Sequence, residues 1–243
     1  MFTKPTLKTA LALATGLLML TGCDNDDDDG PGTQQPSAPG DSYPSGTVHC
    51  IEGGTAVVEV LNPETGKTWM DRNLGASQVA TSSTDEAAYG DLYQWGRFSD
   101  GHQCRNSTTT TEQAESPSAN HSSFIIEHLN WLNENNSDLW QGVDGINNPC
   151  PEGYRLPTWS EWFTEYQSWS TPNAEGAFES ILKITLAGHR HRTSGDLTGV
   201  GTDGRYWSRQ VAISADYLEI NAVNASTNTR RRSFGHSVRC IKD

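Results

Sequence analysis

The sequence predicts an α+β fold, and three observations point to it. Residues 47–243 begin and end in segments patterned as strands, and a well-marked helix start lies between them at Thr158. Long stretches with no apolar period connect the rest. The expected plan is short strands, few helices and long loops, with the N- and C-terminal strands in one sheet.

Each element can be justified in order. "TAVVEVLNPETGKTWMDRNLGAS" alternates apolar and polar residues on either side of Asn62-Pro63-Glu64-Thr65-Gly66, which predicts a hairpin. "EAAYGDLYQWGR" is a short aromatic segment with room for one helical turn, closing at Gly96. The twenty-five residues 99–123 carry no pattern, and a loop of that length in a compact domain is usually functional, mobile or tied down. Ile125, Leu129 and Leu132 fall at helical spacing before an Asn-rich stretch that ends at Trp140.

"CPEGYRLPTWSEW", residues 150–162, is dense in reactive side chains, yet it reads as a helix start. Pro157 favours an extended Leu156, Thr158 can cap, and Glu161 lies three residues on, where its carboxylate can return to the Thr158 amide. Trp162, Tyr166 and Trp169 then recur at helical spacing and form one inward face. A catalytic role for Glu161 would need a partner acid, base or nucleophile, and none is evident nearby, so the capping role is preferred. "GAFESILKITLAGHRHR" predicts a short helix passing into a strand. "RYWSRQ", "DYLEINA" and "GHSVRCIKD" read as strands, the last two joined across the polar "VNASTNTRRRSF".

The N-terminal region supplies an address. Lys4 and Lys8 precede an apolar run from Ala10 to Leu20, and Leu20-Thr21-Gly22-Cys23 follows. The run is too short for a membrane-spanning helix, and the order is that of a bacterial lipoprotein signal peptide over residues 1–22. Cys23 corresponds to the lipidated residue, against the alternative of an ordinary secretory signal with an incidental cysteine. Acyl chains there would anchor the protein to a membrane without crossing it. Residues 23–46, rich in Asp, Pro, Gly and Ser, are expected to be an acidic disordered tether. The expected location is the cell envelope, at the periplasmic face of the inner membrane or at the outer membrane or cell surface.

Residues 47–243 suit one domain, with all eight tryptophans between Trp69 and Trp207. Its charge is uneven: residues 47–188 carry nineteen acidic against six basic side chains, and residues 189–243 carry nine basic against five acidic. In this basic island Arg190, Arg192, Arg205, Arg230, Arg231 and Arg232, with Arg209, are the candidates for an anion-binding surface, since the guanidinium fork suits carboxylate and phosphate. Pairing with the domain's own acids competes with that reading. Nucleic acid is a poor partner for an exported, acidic chain.

His189 and His191 lie on one strand face, but two imidazoles lack a third ligand, so no metal is expected there. Asp138 and Asp144 in "NENNSDLWQGVDGINN" lack the spacing of a calcium loop and suit tight turns. No Ser-His-Asp set, phosphate-cradling loop or nucleotide motif is present, and no cofactor is expected. With Cys23 lipidated, Cys50, Cys104, Cys150 and Cys240 form an even set in an oxidising compartment, so two disulfides are expected, and the sequence alone allows three pairings.

Five stretches in order, "NPETGKTWMDRNLGAS", "AAYGDLYQWGR", "NNPCPEGYRLPTWSEW", "YWSR" and "GHSVRCIKD", resemble the Fibrobacter succinogenes major paralogous domain family over residues 50–243. The resemblance implies a C-type-lectin-like fold related to that of formylglycine-generating enzymes, in an envelope protein. It also implies pairing of Cys150 with Cys240, the helix region with the last strand, which leaves Cys50 to Cys104. It carries no general activity. The Glu-Pro-Asn or Gln-Pro-Asp and Trp-Asn-Asp triplets of calcium-dependent sugar-binding lectins are absent, and Cys240 stands alone where a copper-holding pair would be needed.

The resulting expectation is a lipid-anchored envelope protein with a non-catalytic binding domain for a glycan, in particular an anionic one, or for an envelope protein. An enzyme derived from the same fold and acting on envelope or secreted substrates, and a structural module without a discrete ligand, are the alternatives. For the anchor, Cys23→Ser should abolish the acyl mass seen by mass spectrometry of the mature chain, and a wild-type chain without acyl mass on Cys23 would refute the assignment.

Overall fold

The computed structural model describes residues 42–243. Cys23, the segment 1–22 and tether residues 23–41 lie outside the described residues. Residues 42–46, read from sequence as the end of the tether, are folded onto the domain. The Tyr43 hydroxyl donates to the Thr55 carbonyl at 3.0 Å and the Glu152 amide to the Ser42 carbonyl at 2.8 Å.

The hairpin forms as the alternation requires. β1 (Glu59–Asn62) and β2 (Lys67–Met70) pair antiparallel, with Asn62 opposite Lys67. Gly66 takes φ 67°, a conformation glycine adopts without steric cost, and its amide closes the turn on the Asn62 carbonyl at 2.8 Å. A 3₁₀ turn at Glu86–Ala88 then leads to β3 (Tyr93–Gln94). The unpatterned loop is tied down at one end by the Cys50–Cys104 disulfide and along its length by β4 (Thr109–Thr110), which lies parallel to β5 (Phe124–Ile125).

The helix expected from Ile125, Leu129 and Leu132 is not formed. The Gln94 side chain takes both backbone groups of Ile125, donating to its carbonyl at 2.7 Å and accepting its amide at 3.1 Å. Glu127 has φ 68°, which an α-helix cannot contain, and Leu129 is 54% exposed. Ile125 and Leu132 do reach one buried cluster, with Trp131 and Leu139, but through a parallel strand pair and an isolated bridge to Ala114 and not through a helix face.

β6 (Tyr154–Arg155) delivers the chain to α1 (Trp159–Gln167), whose start is the capping box. Thr158 Oγ1 accepts the Glu161 amide at 3.0 Å, and Glu161 Oε2 accepts the Thr158 amide at 2.7 Å. Arg155 adds a two-pronged ion pair to Glu161, at 2.8 and 2.9 Å, and bonds Asp243 at 2.6 Å. Burial alone would raise the Glu161 pKa, but Arg155 and the Thr158 donors hold it down at about 2. The dense motif is therefore an architectural joint.

After α1 come α2 (Ala174–Glu179), β7 (His189–Arg190), β8 (Leu197–Thr198), β9 (Gly204–Val211), β10 (Ala215–Ile220), β11 (Ala225–Arg230), β12 (Gly235–His236) and β13 (Ile241–Lys242). β11 lies inside the segment read from sequence as a polar connection. Its "ASTNTR" pairs residue for residue with β10, and it is polar because it is an edge strand with one wet face.

The strands form a four-stranded sheet β1-β2-β13-β6, a meander β11-β10-β9, a second four-stranded sheet β3-β12-β7-β8 and the β4-β5 pair, antiparallel except for the last. With only two short α-helices among the described residues, the balance is more β than an even α+β mixture. The first hairpin and the C-terminal strand share one sheet, with Ile241 opposite Trp69.

Tryptophan indoles stitch these layers together: Trp162 donates to the Trp207 carbonyl, Trp207 to Tyr93, Trp95 to Ser208 and Trp131 to Trp95, at 2.7–3.1 Å. Each ring buries a large apolar area while its one donor is satisfied. The second disulfide joins Cys150, ahead of β6, to Cys240, ahead of β13. Thr158→Ala should lower stability by about 0.5–2 kcal/mol in urea unfolding, since it leaves a first-turn amide without its acceptor. An unchanged midpoint would mean that the cap is redundant with the Arg155 clamp.

Candidate anion-binding surface

The topology gathers one end of the basic island around a single ring. β7 lies between β12 and β8, so His189 and His191, alternate residues on one strand face, come to the turn that joins β11 to β12. Phe234 sits in that turn, its amide bonded to the Arg231 carbonyl at 3.2 Å. The ring centroid lies 6.0 Å from that of His189, 5.2 Å from that of His191 and 6.2 Å from that of His236. The Arg230 guanidinium carbon stands 4.6 Å and that of Arg192 6.0 Å from the same centroid. Two cations, one edge-on imidazole (His191) and two tilted ones (His189 and His236) thus share one aromatic ring.

Beneath it, Arg205 from β9 donates to His189 Nε2 at 3.2 Å and to Glu219 Oε1 at 2.9 Å. That donation fixes the neutral imidazole with its proton on Nδ1. His236 is fully buried, stacked at 4.0 Å on Trp207 and 4.7 Å from Tyr217. Burial, reinforced by the charges of Arg205 and Arg230, pushes the His189 pKa down to about 3, and the same causes hold that of His236 well below its usual range. His189 and His236 are therefore neutral, and the positive charge beside them belongs to the arginines.

The cluster holds an unusual concentration of unpaired polar atoms. His189 Nδ1, Arg205 Nε, Arg230 Nε, both His236 ring nitrogens and Ser237 Oγ are buried with no hydrogen-bond partner among the described residues. Each such group costs about 1–3 kcal/mol when left unmatched. Four of them are N–H donors, on His189, Arg205, Arg230 and one nitrogen of neutral His236, and the group that would match these is an acceptor. A metal cation at His189 is opposed by the guanidinium against its ring, and the described residues contain no group of three or more His, Cys, Asp or Glu placed to hold a metal ion.

The six arginine candidates divide sharply. Arg190 is buried over Phe124 and donates to the Gly195 carbonyl at 2.7 Å and the Ser107 carbonyl at 2.6 Å. Arg232 is buried over Trp95 and donates to the Asn136 and Ala212 carbonyls at 2.7 and 2.6 Å. Both are structural, and neither presents a guanidinium to a ligand. Arg205 is half-neutralised by Glu219. Arg192, Arg230 and Arg231 are part-exposed, and among the described residues no carboxylate lies within 4.0 Å of them. Phe234, His236 and Glu219 were not anticipated from sequence, because only the pairing of β7, β9, β10 and β12 brings them together.

Comparison with protein-family models, curated proteins and solved structures gave no match to this chain.

Neutral buried histidines make a pH prediction. A histidine whose folded pKa lies below the unfolded value near 6.5 weakens folding as pH falls through that value, because the unfolded chain takes up the proton first. Stability should be full above pH 6.5 and fall toward pH 3, with a slope approaching about 1.4 kcal/mol per pH unit for each such histidine. His236→Phe, which keeps the stack on Trp207, should flatten that slope by one histidine's share in urea unfolding at stepped pH. An identical slope would show that His236 is not a buried neutral group.

Proposed function

We propose that residues 47–243 form a non-catalytic, lectin-like binding module, held at the cell envelope by lipid on Cys23, and that it takes an anionic glycan at the Arg192–Arg230–Phe234 surface. The observation that carries this reading is the set of buried N–H donors on His189, Arg205 and Arg230 that lack a partner among the described residues, in a cluster where the Arg192 and Arg230 guanidinium groups have no carboxylate within 4.0 Å among the described residues. A carboxylate or sulfate supplies acceptors to the donors and charge to the arginines at once. The five family-like stretches support the lectin-like assignment, and the Leu20–Cys23 segment supports the anchor. A binding role also fits the commitment of Glu161, the most suspicious carboxylate in the sequence, to a helix cap and to Arg155.

The test is an array of acidic and neutral glycans probed with the purified protein. Acidic glycans should be retained, and their affinity should fall with added salt. Replacing Arg192 and Arg230 together by serine should weaken binding roughly tenfold or more and flatten the salt response, whereas Arg231→Ser alone should do less. Equal retention of neutral glycans, or an unaltered salt response in the double variant, would sink the reading. Binding to vesicles of anionic lipid in place of any glycan would move the ligand from polysaccharide to headgroup.

A further inference from the structure

A second site lies away from the basic island, where the N-terminal segment crosses the turn between β2 and β3. Asp91 is 5% exposed, and among the described residues no protein donor reaches its carboxylate within hydrogen-bond distance. The carboxylate lines a small cavity of about 10 Å³, the size that holds a single small guest. Backbone approach is close: a Cβ on Gly75 would stand 2.2–2.5 Å from the Asp91 carboxyl atoms, and Gly75 has φ 80°. Only glycine fits there, so the chain is shaped to bring this carboxylate in.

The lining includes hydroxyl side chains of Tyr43, Thr47, Thr55, Tyr93 and Ser99, beside His49 and apolar residues such as Ile51 and Leu74. Three of their five protons are committed elsewhere. Tyr43 donates to the Thr55 carbonyl at 3.0 Å, Thr47 to the Pro44 carbonyl at 2.7 Å and Ser99 to the Tyr93 hydroxyl at 3.4 Å. Thr55 Oγ1 already accepts the Gly75 amide at 2.7 Å. The carboxylate's cavity is thus bordered by the hydroxyl oxygens of Tyr43, Thr47 and Ser99, whose protons are spent elsewhere and whose lone pairs remain, and by those of Thr55 and Tyr93, which keep both a lone pair and a proton. Arg105, the nearest cationic influence, has its guanidinium on the Gly90 and Ala187 carbonyls and makes no ion pair with Asp91. Without a partner, burial pushes the Asp91 pKa up to about 8, only partly offset by Arg105.

We propose that Asp91 and the hydroxyls around it bind a hard monovalent cation of sodium's size. Hard cations take oxygen ligands, and the number of carboxylates sets the charge that a site can neutralise. One carboxylate balances one positive charge, while a divalent ion would leave an excess in a buried place close to Arg105. The site also ties the N-terminal segment, which supplies Tyr43, Thr47 and Thr55, to the β2–β3 turn, so occupancy should register as stability.

Thermal unfolding of the full chain in sodium, potassium and choline chloride at equal ionic strength and neutral pH tests this. Sodium should raise the midpoint above choline by about 2–4 °C, with potassium less effective, because a ligand bound only by the folded state stabilises it. Asp91→Asn should remove the difference between the salts while leaving the fold intact by circular dichroism. Uptake of sodium should also release protons from the wild-type chain and not from the variant. Identical midpoints in sodium and choline would overturn the proposal even if the variant failed to fold. A response to calcium alone would overturn the monovalent assignment.

Discussion

The guanidinium of Arg239 is buried beside the end of β2 with no carboxylate within ion-pair distance among the described residues, and much of the fold is arranged to satisfy it. It donates to Asn73 Oδ1 at 3.0 Å and to the Met70 and Leu182 carbonyls at 3.2 and 2.8 Å. Asn73, oriented by that bond, passes its own amide to the Ala88 and Tyr89 carbonyls, Thr185 and Tyr206 at 3.1–3.3 Å. One polar node therefore joins the first hairpin, the 3₁₀ turn, the segment after α2, the meander and the last strand. Burial lowers the Arg239 pKa to about 10, so the charge persists at neutral pH and must be met by neutral oxygens.

That node also explains how arginine serves two purposes in the same quarter of the chain. Arg190, Arg232 and Arg239 use their forks on backbone carbonyls that loops leave unpaired, a job that short strands and long connections create in quantity. Arg192 has one long bond of that kind, to the His128 carbonyl at 3.4 Å, and both Arg192 and Arg230 stay over Phe234. Side-chain type is the same in both sets. Burial against backbone separates them.

The elements legible in the sequence are those whose signal is local. The hairpin rests on alternation around Pro63 and Gly66, and α1 rests on Thr158 and Glu161 three residues apart. The pairing of Cys150 with Cys240 and of Cys50 with Cys104 matches what the family resemblance implied. What failed was long-range. Ile125 was read as a helical residue because nothing nearby announces that Gln94 will claim its backbone. β11 was read as a connection because an edge strand needs no apolar alternation when its partner β10 supplies the buried face. The anion-binding candidates were visible as composition, but their division into structural and unpaired groups follows only from topology, and Asp91 gave no signal because its setting is built from residues 43 to 99.

The position of β13 sets the order in which this molecule can assemble. Residues 241 and 242 are laid between β2 and β6, in the interior of a sheet whose other strands end by residue 155. The sheet stays split until those residues arrive, and the Cys150–Cys240 crosslink waits for the same moment. A chain emerging from a ribosome is thus kept from completing its tertiary structure until residues 241 and 242 are made, and the sheet closes in a slow, non-local step.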